Sequence, residues 1–86
     1  MKVRHKEMIH GYCPVDGAVD YYEVVIEPTA FVTVEEIRAS LNIVRGEKRY
    51  QEDMAERVYD ILEGRATITL SGRHGTTDTS VTVAAT

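Results

Sequence analysis

Cysteine is nearly missing from this sequence: Cys13 is the single one in 86 residues. One cysteine cannot close an internal disulfide, and with no CxxC, HExxH or Cys/His cluster there is no pattern for a structural metal. Long apolar runs are missing too. The opening residues carry Lys2, Arg4 and Lys6 with no apolar stretch behind them, so neither a secretory signal nor a spanning helix is expected, and the chain reads as soluble and cytoplasmic with no membrane partner. Two prolines and six glycines all stand where they read as punctuation, without repeats, linkers or low-complexity tracts. A single domain over residues 1–86 is the expectation. Such a chain buries only about 60 to 65% of its unfolded surface, which makes oligomer formation a natural way to bury more. Basic residues are outnumbered, ten against fourteen acidic, for a net charge of -4. That balance weighs against a protein whose affinity comes mainly from neutralising phosphates along a duplex, and leaves a small-molecule or single-nucleotide ligand open.

What is present is strongly patterned. Tyr21 to Glu27 alternates, with Tyr22, Val24 and Ile26 on one face and Glu23 and Glu27 on the other, the signature of a half-buried strand. Continuation past Pro28 into Ala30, Phe31 and Val32 would need a bulge or an edge. Thr33 with Glu36 forms a capping-box pattern, and Val34, Ile37, Leu41 and Val44 recur at helical spacing, so a first helix is expected over Val34 to Arg45, ended by Gly46. Met54, Ala55, Val58, Ile61 and Leu62 form the stripe of a second helix closed by Gly64. Ala66, Ile68 and Leu70 alternate with Thr67, Thr69 and Ser71; after a Gly72 to Gly75 turn, Thr79, Val81 and Val83 complete a hairpin. Val3 to Tyr12 reads as a first strand, with Cys13 to Asp20 as its loop. The order strand, strand, helix, helix, strand, strand implies an α+β domain, an antiparallel four-stranded sheet with helices on one face and two edges to cover.

The stretch G-Y-C-P-V-D-G-A-V-D holds the only cysteine and two carboxylates, Asp16 and Asp20. A thiol serves chemistry when a neighbour can take or return its proton, and Asp20 could face Cys13 across the mouth of the loop. On residue types alone, Cys13 as a small buried hydrophobe and Asp20 as a turn residue is the favoured reading, with the chemical one left open. His5, His10 and His74 lack ligand spacing and read as exposed polar residues. Glu52 and Asp53 open the second helix, where the helix dipole favours carboxylates whatever their role. Glu35 and Glu36 read as a solvated face.

These residues resemble the QueF and QueF-like family, the 7-cyano-7-deazaguanine nitrile reductases and their amidine-forming relatives. One anchor is C-P-V-D-G-A-V-D, in which Cys13 and Asp20 stand seven apart, as do the family's nucleophile and acid, with Pro14 and Gly17 matching. The other is V-E-E-I-R-A-S-L-N-I-V-R-G-E-K-R-Y-Q-E-D, which resembles the family's first helix, its Arg-Gly break and the dipeptide opening its second helix. The resemblance implies the tunnelling fold, a ββααββ subunit joining edge to edge into multi-subunit barrel rings, pentameric or decameric, with active sites between subunits.

It also implies roles. Cys13 and Asp20 would be catalytic, a thioimide-forming nucleophile and the group that moves its proton, with the Asp20 pKa raised by its surroundings. Glu52 would bind the deazaguanine edge, and Gln51, which stands where the family usually has His, would contact substrate without titrating. The reductases carry lysines for NADPH phosphates on their first helix; Glu35 to Ile43 offers only Arg38. No cofactor is therefore expected, and ammonia would resolve the thioimide on a base in tRNA or other nucleic acid. NADPH-dependent reduction of the free base is the alternative, and a non-catalytic purine- or pterin-binding subunit the second. Lys2, Arg4, Lys6, Lys48 and Arg49 are the cations expected to guide a polynucleotide, repeated around the ring.

Overall fold

The structure, a computed structural model, describes residues 3–84. Its elements run β1 (His5–Tyr12), β2 (Val19–Pro28), α1 (Val34–Val44), α2 (Gln51–Ile61), β3 (Ala66–His74) and β4 (Thr77–Val83). The four strands form one sheet in the order β1-β2-β3-β4, each neighbouring pair antiparallel. The expected ββααββ order is the observed one.

Period-2 alternation selects one face for the helices. Ile9 lies opposite Tyr22, Val24 opposite Leu70, and Ile26 opposite Ile68, and all six are buried. Helix α1 brings Ile37, Leu41 and Val44 to this layer; α2 brings Met54, Ala55 and Val58, and Leu62 follows just past its end. Each fully buried aliphatic side chain here contributes about 1.5–3 kcal/mol.

The helix boundaries follow their caps. The Thr33 hydroxyl accepts from the Glu36 NH at 3.1 Å, and Glu36 Oε2 accepts from the Thr33 NH at 2.8 Å. The Thr33 NH, then Arg65, hold the Glu36 carboxyl below its ordinary value, so Glu36 is a capping residue and not part of a solvated face. Arg65 ties three segments together, donating to Phe31 O at 3.0 Å, to Glu36 Oε1 at 3.1 Å and to Leu62 O at 2.9 Å.

Several boundaries differ from the sequence reading. The first strand starts at His5 rather than Val3, and α1 stops at Val44, one residue short of Arg45. β2 does not continue to Val32: Thr29 and Ala30 turn away and donate to Arg65 O, because Pro28 has no NH with which to extend the ladder. The final turn is not Gly72 to Gly75. Gly72 is a strand residue paired with Thr79, and the chain reverses at Gly75 and Thr76, where Gly75 takes a φ of 60°. His5 and His10 are half-buried rather than exposed.

The β1 edge is not bare along its whole length. The α1–α2 connection runs beside the end of β1, with the Gly46 NH on His10 O at 2.8 Å, the Tyr12 NH on Glu47 O at 3.0 Å, and a parallel bridge from Tyr12 to Lys48. This fixes where α2 begins, at the end of the sheet that carries Cys13. Gly11 permits the approach, since a Cβ there would lie 3.2 Å from Glu47 O and 2.6 Å from Met54 Cε.

Candidate active site

Cys13 follows the last residue of β1 and is half-buried. Its backbone is locked on both sides: its NH donates to Ala18 O at 2.8 Å and its carbonyl accepts from the Gly17 NH at 2.9 Å. This tight closure requires Gly17 at φ 74°, in the left-handed region, which explains the glycine four residues after the cysteine. Asp16 folds back so that its Oδ1 accepts from the Ala18 NH at 2.9 Å.

Asp20 lies on β2 directly opposite Gly11, and Tyr22 follows two residues on, on the same face. The Tyr22 hydroxyl donates to Asp20 Oδ2 at 3.4 Å. Burial pushes the phenol up to about 12, with the Asp20 charge and hydrogen bond adding to it and the charges of Cys13 and Glu52 contributing last. The phenol thus lies within electrostatic reach of Cys13, Asp20 and Glu52 together, although they come from a loop, a strand and a helix. Its ring has room because Gly72 lies opposite: a Cβ there would stand 2.7 Å from Tyr22 Cδ1.

Tyr22 is the site residue that sequence reasoning missed, having placed it with the core. The available signals were the i, i+2 spacing from Asp20 and a glycine inside a strand that an aromatic needs to cross. Asp16 is the other. Its carboxyl is held below the ordinary value by the Ala18 NH, then by the Cys13 thiol, with His74 a smaller cause. The thiol therefore has a carboxylate in its own loop, while Asp20 stands opposite Gly11, two residues before the cysteine.

The two residues opening α2 play different parts. Glu52 is exposed in the first turn, where the helix dipole favours its charge. Gln51 is buried and its amide is engaged within the chain: Nε2 donates to Leu70 O at 2.8 Å and Thr79 O at 3.3 Å, and Oε1 accepts from the Thr79 hydroxyl at 2.7 Å. The expected cationic patch does not form as one surface. Lys48 lies beside Tyr12 near the end of β1, and Arg49 is paired with Glu47 at 3.0 Å, whereas Arg4 and Lys6 lie at its start; Lys2 falls outside the described residues. Among the described residues, no group of three or more His, Cys, Asp or Glu is placed to hold a metal ion, and no helix is long and apolar enough to cross a membrane.

Among solved structures, the chain is similar to the apo form of the archaeosine synthase QueF-like, with a TM-score of 0.83 at 21% identity, over 95% of this chain and 90% of that one. The chain has the tunnelling fold. No protein-family model and no curated protein matches it. In the tunnelling fold of this chain, Cys13, Asp20 and Glu52 fall at one end of the sheet, on the face that carries the helices.

Proposed function

We propose that the chain is a QueF-like enzyme that converts the nitrile of a 7-cyano-7-deazaguanine base, carried in a nucleic acid, to an amidine. The observation that carries this reading is the Tyr22–Asp20 hydrogen bond at the end of the sheet where the Cys13 loop and the first turn of α2, with Glu52, also lie, in a chain that shares its fold with an archaeosine synthase.

The Cys13 thiolate adds to the nitrile carbon, forming a C–S bond as one C–N π bond breaks. Asp20 takes the thiol proton and returns it to the nitrile nitrogen, so the product is a neutral thioimide with no net proton change. Ammonia then adds to the thioimide carbon, and the C–S bond breaks with return of the proton to Cys13. The amidine leaves and no electrons are exchanged. Glu52 accepts hydrogen bonds from the NH and exocyclic amine of the base, a bidentate charge-assisted contact. Gln51 supports Glu52 by holding the first turn of α2 on β3 and β4. A homo-oligomeric ring completes the pocket and the sheet edges.

No cofactor enters this reaction. The first helix offers one cation for dinucleotide phosphates, Arg38, which supports an ammonia step over NADPH-dependent reduction.

The test is turnover with ammonia of a polynucleotide containing the nitrile base, followed by nucleoside mass analysis. Gain of the mass of ammonia on the modified base is expected. An unchanged nucleic acid alongside NADPH oxidation by the free nitrile would replace this reaction with the reductase.

A further inference from the structure

Strand register brings a histidine from the second hairpin to the end of the sheet that carries Cys13. Asp20 lies two residues before Tyr22 on β2, and His74 lies two residues after Gly72 on β3. Tyr22 and Gly72 are opposite each other in an antiparallel pair, so both steps lead toward the same end of the sheet. Gly11 stands opposite Asp20, and Thr77 opposite His74. Gly11, Asp20, His74 and Thr77 thus follow one another across the four strands, one row beyond Ile9, Tyr22, Gly72 and Thr79. Alternation places this row on the face that carries the helices. The β2–β3 ladder ends at the Tyr22–Gly72 pair, two residues short of it.

A second observation ties the tip of this hairpin to the Cys13 loop. The positive charge of a protonated His74 is felt at Asp16, where it adds to the larger effects of the Ala18 NH and the Cys13 thiol. His74 is exposed, and among the described residues it forms no ion pair. Its neighbour Arg73 and the Asp78 that Arg73 pairs with at 2.8 Å stand on the opposite face. The charged or titratable groups at this end of the sheet are therefore Asp16 and Cys13 from the loop, Asp20 and Tyr22 from β2, and Glu52 from α2.

The two halves of the reaction proposed above differ in their need for protons. Thioimide formation moves one proton from Cys13 to the nitrile nitrogen, which Asp20 carries. Amidine formation brings in ammonia, whose nitrogen must lose a proton as the sulfur gains one. Asp16 is a poor carrier for it, because a carboxyl held below its ordinary value binds a proton weakly. An imidazole changes its protonation in the physiological range, so it can both accept this proton and give it back.

We propose that His74 is the general base of the second half-reaction, taking a proton from the attacking ammonia and returning it to the Cys13 sulfur. The C–N bond forms as the C=N π electrons move to nitrogen. Their return expels the sulfur, the C–S bond breaks, and the proton passes from imidazole to thiolate. Protons balance and no electrons are exchanged. The proposal rests on the reading of Cys13 given above and adds the base for its second step.

The test separates the two half-reactions in the wild type, His74→Gln and His74→Ala. Intact mass follows first the gain of the adduct with free 7-cyano-7-deazaguanine, then its loss on addition of ammonia at fixed pH. Both variants are expected to form the adduct at the wild-type rate and to discharge it about a hundredfold more slowly, within the range of general-base contributions. Added imidazole is expected to restore discharge in His74→Ala, a response that a merely structural role would not give. Arg73→Gln, on the other face of the same hairpin, is expected to leave both rates unchanged. Equal discharge rates in wild type and variants, or a slowing of both halves that imidazole does not relieve, overturn the role of His74 while the Cys13 adduct stands. A wild-type adduct that ammonia does not discharge overturns His74 together with the ammonia step. Absence of any wild-type adduct overturns the Cys13 chemistry itself, and the base with it.

Discussion

The Tyr22 hydroxyl donates to Asp20 Oδ2 across 3.4 Å, from two residues further along the same face of β2. With its pKa near 12, the phenol is a permanent donor under physiological conditions. It occupies one carboxylate oxygen and leaves the other, which in the proposed reaction exchanges a proton with Cys13 and the nitrile. Tyr22→Phe removes the donor and keeps the ring over Gly72. Losing one hydrogen bond to a charged group, on the order of 1.5 kcal/mol, slows thioimide formation about tenfold. Single-turnover adduct kinetics measure this, and an unchanged rate would remove Tyr22 from the site.

The same phenol sets an alkaline limit on stability. Its folded pKa of about 12 lies above the ordinary 10.0, so the folded state holds the proton more tightly than the unfolded chain. The stabilisation is complete below pH 10 and is lost as the pH rises toward 12. Thermal midpoints measured across that window fall less steeply in Tyr22→Phe than in the wild type. Parallel curves would show that burial does not hold the proton on.

Gly72→Ala places a Cβ 2.7 Å from Tyr22 Cδ1. Overpacking of this kind costs about 1–3 kcal/mol, read as a lower denaturation midpoint. In a Tyr22→Ala background the ring is gone, so the same substitution costs little, and the double-mutant cycle gives the coupling directly. Additive effects would contradict the close approach.

Neighbouring residues at the start of α2 are expected to separate in their effects. Gln51→Ala removes the buried amide with its hydrogen bonds to Leu70 O, Thr79 O and the Thr79 hydroxyl, and lowers stability by about 1–3 kcal/mol in urea denaturation. Glu52→Gln, at an exposed position, leaves the midpoint in place and weakens base binding about tenfold or more by loss of a charge-assisted contact. Equal losses of stability in both variants would reverse these roles.

Features carried by short stretches of chain were legible in the sequence. The Thr33–Glu36 capping box, the Ile37, Leu41 and Val44 stripe and the Ala66, Ile68 and Leu70 alternation all sit where their spacing places them. Gly72 was not legible as a strand residue, because a glycine followed soon by a second one reads as a turn, and its purpose depends on an aromatic residue fifty positions earlier. The separation of Lys48 and Arg49 from Arg4 and Lys6 was hidden for the same reason: it depends on the α1–α2 connection, which runs beside the far end of β1. Cys13 and Asp20 were legible as a spaced pair and Asp16 as a carboxylate of the same loop, while the contact of Asp16 with the thiol and the place of Tyr22 beside Asp20 emerged only from the fold of the loop and strand.

The central claim is that Cys13 forms a covalent bond with a nitrile carbon. Intact-mass spectrometry after incubation with 7-cyano-7-deazaguanine tests it most directly. The account predicts a mass increase equal to the whole nitrile compound, since addition expels nothing, and its disappearance in Cys13→Ala. A folded wild-type protein that binds the compound without any mass change would contradict the account and leave a pocket that holds a purine-like base without reacting.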